Sequence, residues 1–84
     1  MEGCEKMKIL VVEDDMVLAE EICRLLEKWG FQGECLEDFS AVDKEWAKRR
    51  AQLILMDINL PYYDGFYWCS RIRELSSVPV LFLS

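Results

Sequence analysis

The sequence predicts an α/β domain, a parallel sheet with helices on both faces. Two observations carry that prediction. Short continuous apolar runs, Ile9-Leu10-Val11-Val12, Leu53-Ile54-Leu55-Met56 and Val80-Leu81-Phe82-Leu83, have the uncharged character of strands buried on both sides. Between them lie amphipathic stretches with apolar residues at steps of three and four. Strand and helix therefore alternate, and right-handed crossovers then join parallel neighbours. With 84 residues there is room for one small domain, in which about 60 to 65% of the unfolded surface is buried.

Residues 9–12 form the first strand. From Met16, Leu18, Ile22, Leu25, Leu26 and Trp29 recur as an apolar stripe, with Glu20, Glu21, Arg24, Glu27 and Lys28 opposite, and Gly30 ends this first helix. Residues 31–36 alternate and are flanked by charge, which predicts a short strand at a sheet edge. A second helix is expected to start at Ser40 as N-cap, carry Val42, Trp46 and Ala47 on its apolar face, and end near Arg50. Residues 53–56 form the third strand, and Pro61 with Asp64-Gly65 marks a loop before a third helix from about Phe66 to Leu75. Side chains of Phe66, Tyr67 and Trp68 point in different directions on a helix. Phe66 and Cys69 are expected in the core, with Tyr62, Tyr63 or Trp68 turned to a partner. Ser76-Ser77 breaks this helix, and Pro79 opens a fourth strand that runs to Ser84. A strand apolar on both faces calls for further elements to cover it, so the sequence reads as the first two thirds of a domain.

The net charge of −6 argues against a nucleic-acid grip, which draws on clustered Lys and Arg. The one basic run, Lys48-Arg49-Arg50, suits the solvated last turn of a helix. Cys4, Cys23, Cys35 and Cys69 form no C-x-x-C pair and no histidine is present, which disfavours zinc. No apolar stretch approaches a membrane span and the start lacks a signal-peptide pattern, so a reducing cytoplasm with free thiols is expected.

Ligands of an open parallel sheet bind beyond the carboxyl ends of its strands. Glu13 and Asp14 follow the first strand, Asp57 the third, and Ser84 the fourth. Taken singly, each has an ordinary explanation as a helix or turn cap, and Asp15 is assigned to capping the first helix. Together they form a cluster of oxygens without a cation of the chain's own, which is costly unless a hard ion uses it. Mg²⁺, with its preference for a few carboxylates, waters and phosphate oxygens, fits better than an all-protein Ca²⁺ cage. The ion would also lower the carboxylate pKa values and keep Asp57 ionised and nucleophilic.

Three segments then carry a resemblance: Lys8-Ile9-Leu10-Val11-Val12-Glu13-Asp14-Asp15, Met56-Asp57-Ile58-Asn59-Leu60-Pro61 with Asp64-Gly65 after it, and Val78-Pro79-Val80-Leu81-Phe82-Leu83-Ser84. In this order they resemble the receiver domain of two-component response regulators. Phe66-Tyr67-Trp68-Cys69 further resembles the regulators of resistance to bacitracin and other cell-envelope antimicrobial peptides, a branch with a winged-helix DNA-binding domain after the receiver. The resemblance implies a flavodoxin-like, doubly wound sheet of strand order 2-1-3-4. It makes Asp57 the phosphoacceptor, attacking the phosphohistidine of a sensor histidine kinase to give an acyl phosphate. It makes Asp14 a direct Mg²⁺ ligand and Glu13 a ligand through water, adds the backbone carbonyl of Asn59, and makes Ser84 the switch hydroxyl that turns toward the new phosphate. A fourth helix, fifth strand and fifth helix, with a phosphate-contacting lysine and an aromatic switch residue, would lie beyond Ser84, as would the DNA-binding output domain. The expected partners are the kinase and, through the exposed fourth strand or segment exchange, further copies of the chain, with no nucleic-acid contact and no membrane insertion by this segment. The chain is expected to be a phosphoacceptor and not itself an enzyme, and to control transcription in the intact protein. The alternative is a truncated receiver-like module that works by protein contact alone.

Two rivals fit less well. A haloacid-dehalogenase-type hydrolase needs a second carboxylate two residues after its nucleophile, where Asn59 stands. A flavodoxin-like electron carrier needs a Ser/Thr/Gly-rich phosphate loop after the first strand, where Glu13-Asp14-Asp15 would repel a flavin phosphate.

Overall fold

The computed structural model describes residues 6–83. Seven elements alternate: β1 (Lys8–Val12), α1 (Met16–Lys28), β2 (Gln32–Cys35), α2 (Val42–Arg49), β3 (Leu53–Asp57), α3 (Gly65–Arg73) and β4 (Val80–Leu83). The four strands form one parallel sheet in the order β2-β1-β3-β4, as the resemblance implies. Alternation along the central strands divides the core. Leu10, Val12, Ile54 and Met56 join Val42 and Trp46 of α2 and Trp68 and Ile72 of α3 in one buried cluster. Ile9 and Val11 point to the other face, where α1 packs on β1 and β2.

The α1 stripe lies elsewhere than the sequence suggests. Leu18, Leu25 and Trp29 are exposed, whereas Ala19 is buried and Ile22, Cys23 and Leu26 are half-buried. The reason is a close approach: a Cβ on Gly33 of β2 would stand 3.1 Å from the Cys23 Cα, so the helix meets the sheet along its small residues and the large ones flank the contact. Gly30, at φ 93°, closes the helix in the left-handed conformation that glycine adopts without penalty.

Ser40 does not cap α2. Its hydroxyl donates to Asp38 Oδ1 (2.6 Å) and its N–H to the same oxygen (3.0 Å), so a local turn consumes the group and Ala41 takes the cap position without a side-chain bond. Ala47 is exposed, and the buried face of α2 is Val42, Asp43 and Trp46. Trp46 Nε1 donates to the Ala51 carbonyl (3.0 Å), and Asp43 faces Arg71 Nε of α3 at 3.5 Å. The basic end of α2 is engaged: Arg49 pairs with Glu34 (3.0 Å) and Glu45 (3.5 Å), while Arg50 stands over the Trp46 ring.

On α3 the expected roles of Phe66 and Trp68 are exchanged. Gly65, Trp68 and Ile72 face the core at helical spacing, because the helix starts hard against the end of β3. Trp68 is only 4% exposed, whereas Phe66, one position round the helix, is 55% exposed and meets Phe82 of β4 with 4.9 Å between ring centroids. Cys69 is half-buried and not part of the core cluster. β4 forms one edge of the sheet, with Leu81 and Phe82 exposed. No helix of the described residues is long and apolar enough to cross a membrane.

Candidate functional site

The site follows from strand register. Val12 of β1 is paired with Met56 of β3, so the residues that leave these strands, Glu13 and Asp57, emerge side by side at the carboxyl edge. Neighbouring strands are about 4.8 Å apart, and nothing in either strand separates the two acids. Asp14 completes the group: carboxylate oxygens of Glu13, Asp14 and Asp57 all lie within 4.8 Å of one another. Among the described residues none of the three makes an ion pair.

The carboxylates differ in setting. Glu13 is 6% exposed, Asp57 is half-buried and Asp14 is open to solvent. Burial pushes the Glu13 carboxyl above its ordinary range, and the charges of Asp57 and Asp14 push it further, against the N–H of Asp15, which donates to Glu13 Oε2 at 3.1 Å. Asp15 itself caps α1, its Oδ1 accepting from the N–H groups of Val17 (3.1 Å) and Leu18 (3.3 Å). One short segment thus contributes one buried acid, one exposed acid and one cap.

The other wall is built by the loop after β3. Asp64 caps α3 by accepting from the Tyr67 N–H (2.9 Å), and the Gly65 N–H donates to the Ile58 carbonyl (2.8 Å). A Cβ on Gly65 would run into the Asp57 carbonyl oxygen and stand 3.0 Å from Met56 Cγ. Glycine is therefore what lets α3 begin against the strand that carries Asp57. The sequence marks this glycine only as part of a loop, and its steric role appears once the helix is placed. Tyr62 holds φ 69° in the same loop, and Tyr63 stacks on Tyr67 with 4.0 Å between centroids.

Of the residues expected at the site, Glu13, Asp14 and Asp57 come together; Asn59 lies on the exposed part of the loop, and Ser84 is outside the described residues. Three close-set hard oxygens form a donor set suited to a small divalent cation.

Comparison with known proteins identifies a family. The response regulator receiver domain family matches residues 9–84. The response regulator protein GraR of Staphylococcus haemolyticus is 47% identical over 78 residues, which cover 93% of this chain and 35% of that protein. The chain therefore spans about a third of the length of this relative. The N-terminal domain of the nisin resistance regulator NsrR, a lantibiotic response regulator, superposes with a TM-score of 0.86 at 36% identity, over 95% of this chain and 68% of that one. The chemotaxis protein CheY4 of Vibrio cholerae superposes with a TM-score of 0.84 at 25% identity, over 93% of this chain and 68% of that one. With a family match across almost all of its length and the acidic edge in place, the chain belongs to the response regulator receiver domains.

Proposed function

We propose that Asp57 accepts a phosphoryl group from the phosphohistidine of a sensor histidine kinase, with Mg²⁺ held by Glu13, Asp14, Asp57 and the backbone carbonyl of Asn59. The observation that carries this reading is the convergence of three carboxylates within 4.8 Å, without a protein cation among the described residues. A site built only to stabilise the fold would pair such charges.

An Asp57 carboxylate oxygen forms the new bond to phosphorus as the P–N bond to the kinase imidazole breaks, leaving an acyl phosphate on Asp57 and the imidazole as leaving group. Bound Mg²⁺ supplies charge neutralisation for the transferring phosphoryl group. The chain's own residues fix the geometry: the Asp15 N–H orients the Glu13 carboxylate, and the contact of Gly65 with the Asp57 carbonyl fixes the end of β3. Ser84, by its place in the sequence motif, is the hydroxyl that answers the phosphate. In the intact protein this event controls transcription through a DNA-binding domain. The likeness to the nisin resistance regulator supports a role in the response to cell-envelope peptides. The reading places the chain in the cytoplasm, with the open edge of β4 as the surface where copies of the chain associate.

Incubation with acetyl phosphate and Mg²⁺, followed by intact mass, tests the reading. A phosphate-sized gain that is lost in Asp57→Asn supports it. A folded, Mg²⁺-binding chain that gains nothing would refute phosphoacceptance and favour a module acting by contact alone.

A further inference from the structure

Cys23 of α1 and Cys35 of β2 meet with their sulfur atoms 2.9 Å apart. Both are half-buried free thiols, so solvent reaches them. The contact is built by its surroundings. Gly33 lets the β2 backbone come up to Cys23, since a Cβ there would stand 3.3 Å from Cys23 Sγ. The Cys35 thiol also faces the Ala19 carbonyl at 3.5 Å, one helical turn before Cys23, which holds the sulfur on this side of the strand. No third thiol or imidazole joins them among the described residues, so the pair lacks the ligands of a zinc site.

We propose that Cys23 and Cys35 are an oxidative modification site, closed to an intrachain disulfide by peroxides. The sulfurs need to approach by only about 1 Å to reach a covalent S–S length. Burial, the contact with Cys35 and the nearby charges of Glu27 and Glu20 push the Cys23 thiol up. One thiol of the pair gives up its proton and attacks the peroxide, the O–O bond breaks, and that cysteine becomes a sulfenic acid while the released oxygen takes the proton and leaves as water or an alcohol. The second sulfur then attacks the oxidised one, the S–O bond breaks, and the departing hydroxide takes the second thiol's proton as water. Two thiols are oxidised by two electrons and one peroxide is reduced. The bond ties α1, which starts just after the acidic cluster, to the edge strand, and closing this loop restricts the unfolded chain.

The test treats the reduced full chain with hydrogen peroxide, quenches with N-ethylmaleimide and reads intact mass and peptide maps. The expected product is a monomer two hydrogens lighter, with Cys23 joined to Cys35, Cys4 and Cys69 still alkylated, and a melting temperature above the reduced chain that dithiothreitol reverses. Cys23→Ser should keep the fold by circular dichroism, lose the disulfide and leave Cys35 as a sulfenic acid that dimedone labels. Equal alkylation of Cys23, Cys35 and Cys69 after peroxide would overturn the proposal. So would disulfides that join Cys23 or Cys35 to Cys4, to Cys69 or to another chain.

Discussion

Gly65→Ala tests whether the end of β3 and the start of α3 form one rigid unit. The new Cβ would collide with the Asp57 carbonyl oxygen and crowd Met56 Cγ at 3.0 Å and Ile58 Cα at 3.1 Å. Two of these three atoms are backbone and cannot swing aside, so relief requires α3 to back away and to stretch the Gly65 N–H bond to Ile58, now 2.8 Å. Overpacking of this kind costs about 1–3 kcal/mol, and a weakened hydrogen bond adds about 0.5–1.5 kcal/mol. Against this, alanine restricts the unfolded chain and returns about 0.4–1 kcal/mol. The net expectation is a loss of about 2 kcal/mol, read as a lower urea midpoint with an unchanged slope. Gly30→Ala is the control: nothing among the described residues lies within 4 Å of its Cβ, so only the strain of φ 93° remains, about 1 kcal/mol. A Gly65→Ala chain as stable as the parent, or more stable, would refute the steric reasoning.

Three further outcomes are expected. Because the Glu13 pKa is raised in the folded chain, its charged form is penalised at neutral pH, and the metal-free chain should gain stability as pH falls through the raised value toward the ordinary 4.5. Glu13→Gln should flatten that slope in thermal melts taken across the window, and an unchanged slope would place its origin elsewhere. Trp46→Phe leaves the Ala51 carbonyl without its buried donor and should cost about 1–3 kcal/mol beyond the packing lost. Trp68→Phe should cost less in the same urea titration, since Trp68 Nε1 has no partner to leave behind among the described residues. The exposed Leu81 and Phe82 on the β4 edge should drive association at micromolar concentration, and a monomeric sedimentation profile would exclude it.

The sequence revealed the strands because each buried run is uninterrupted, and it revealed the acidic site because in a parallel sheet the ends of adjacent strands fall together whatever the loops do. Val12 opposite Met56 needs no side-chain detail to bring Glu13 beside Asp57. Helix faces were less legible. Hydrophobic weight favoured Leu18, Leu25 and Trp29 on α1, whereas the contact was decided by size, with Ala19 and Cys23 admitted where Gly33 brings the strand close. The same held on α3, where the phase was set by Gly65 against the Asp57 carbonyl, which placed Trp68 inside and Phe66 outside. Ser40 had the right chemistry for a cap, but Asp38, two residues earlier, takes its hydroxyl at 2.6 Å. The Cys23–Cys35 contact joins separate elements, and no local spacing rule announces it.

Charge is distributed unevenly along the strand direction. Glu13, Asp14, Asp15, Glu37, Asp38 and Asp57 all stand at or beyond the carboxyl ends of β1, β2 and β3, and among the described residues none makes an ion pair. At the amino ends, Lys6, Lys8 and Arg49 are matched by Glu27, Glu34 and Glu45. Much of the net charge of −6 therefore projects from one rim. Such a field enriches divalent cations near the rim and slows the approach of any free anion, and both effects fade as salt shortens the Debye length to about 8 Å at physiological strength. Ionic strength should then act in opposite senses on the two ligands of the proposed reaction, weakening the capture of the metal while speeding the arrival of a small phosphorylated donor.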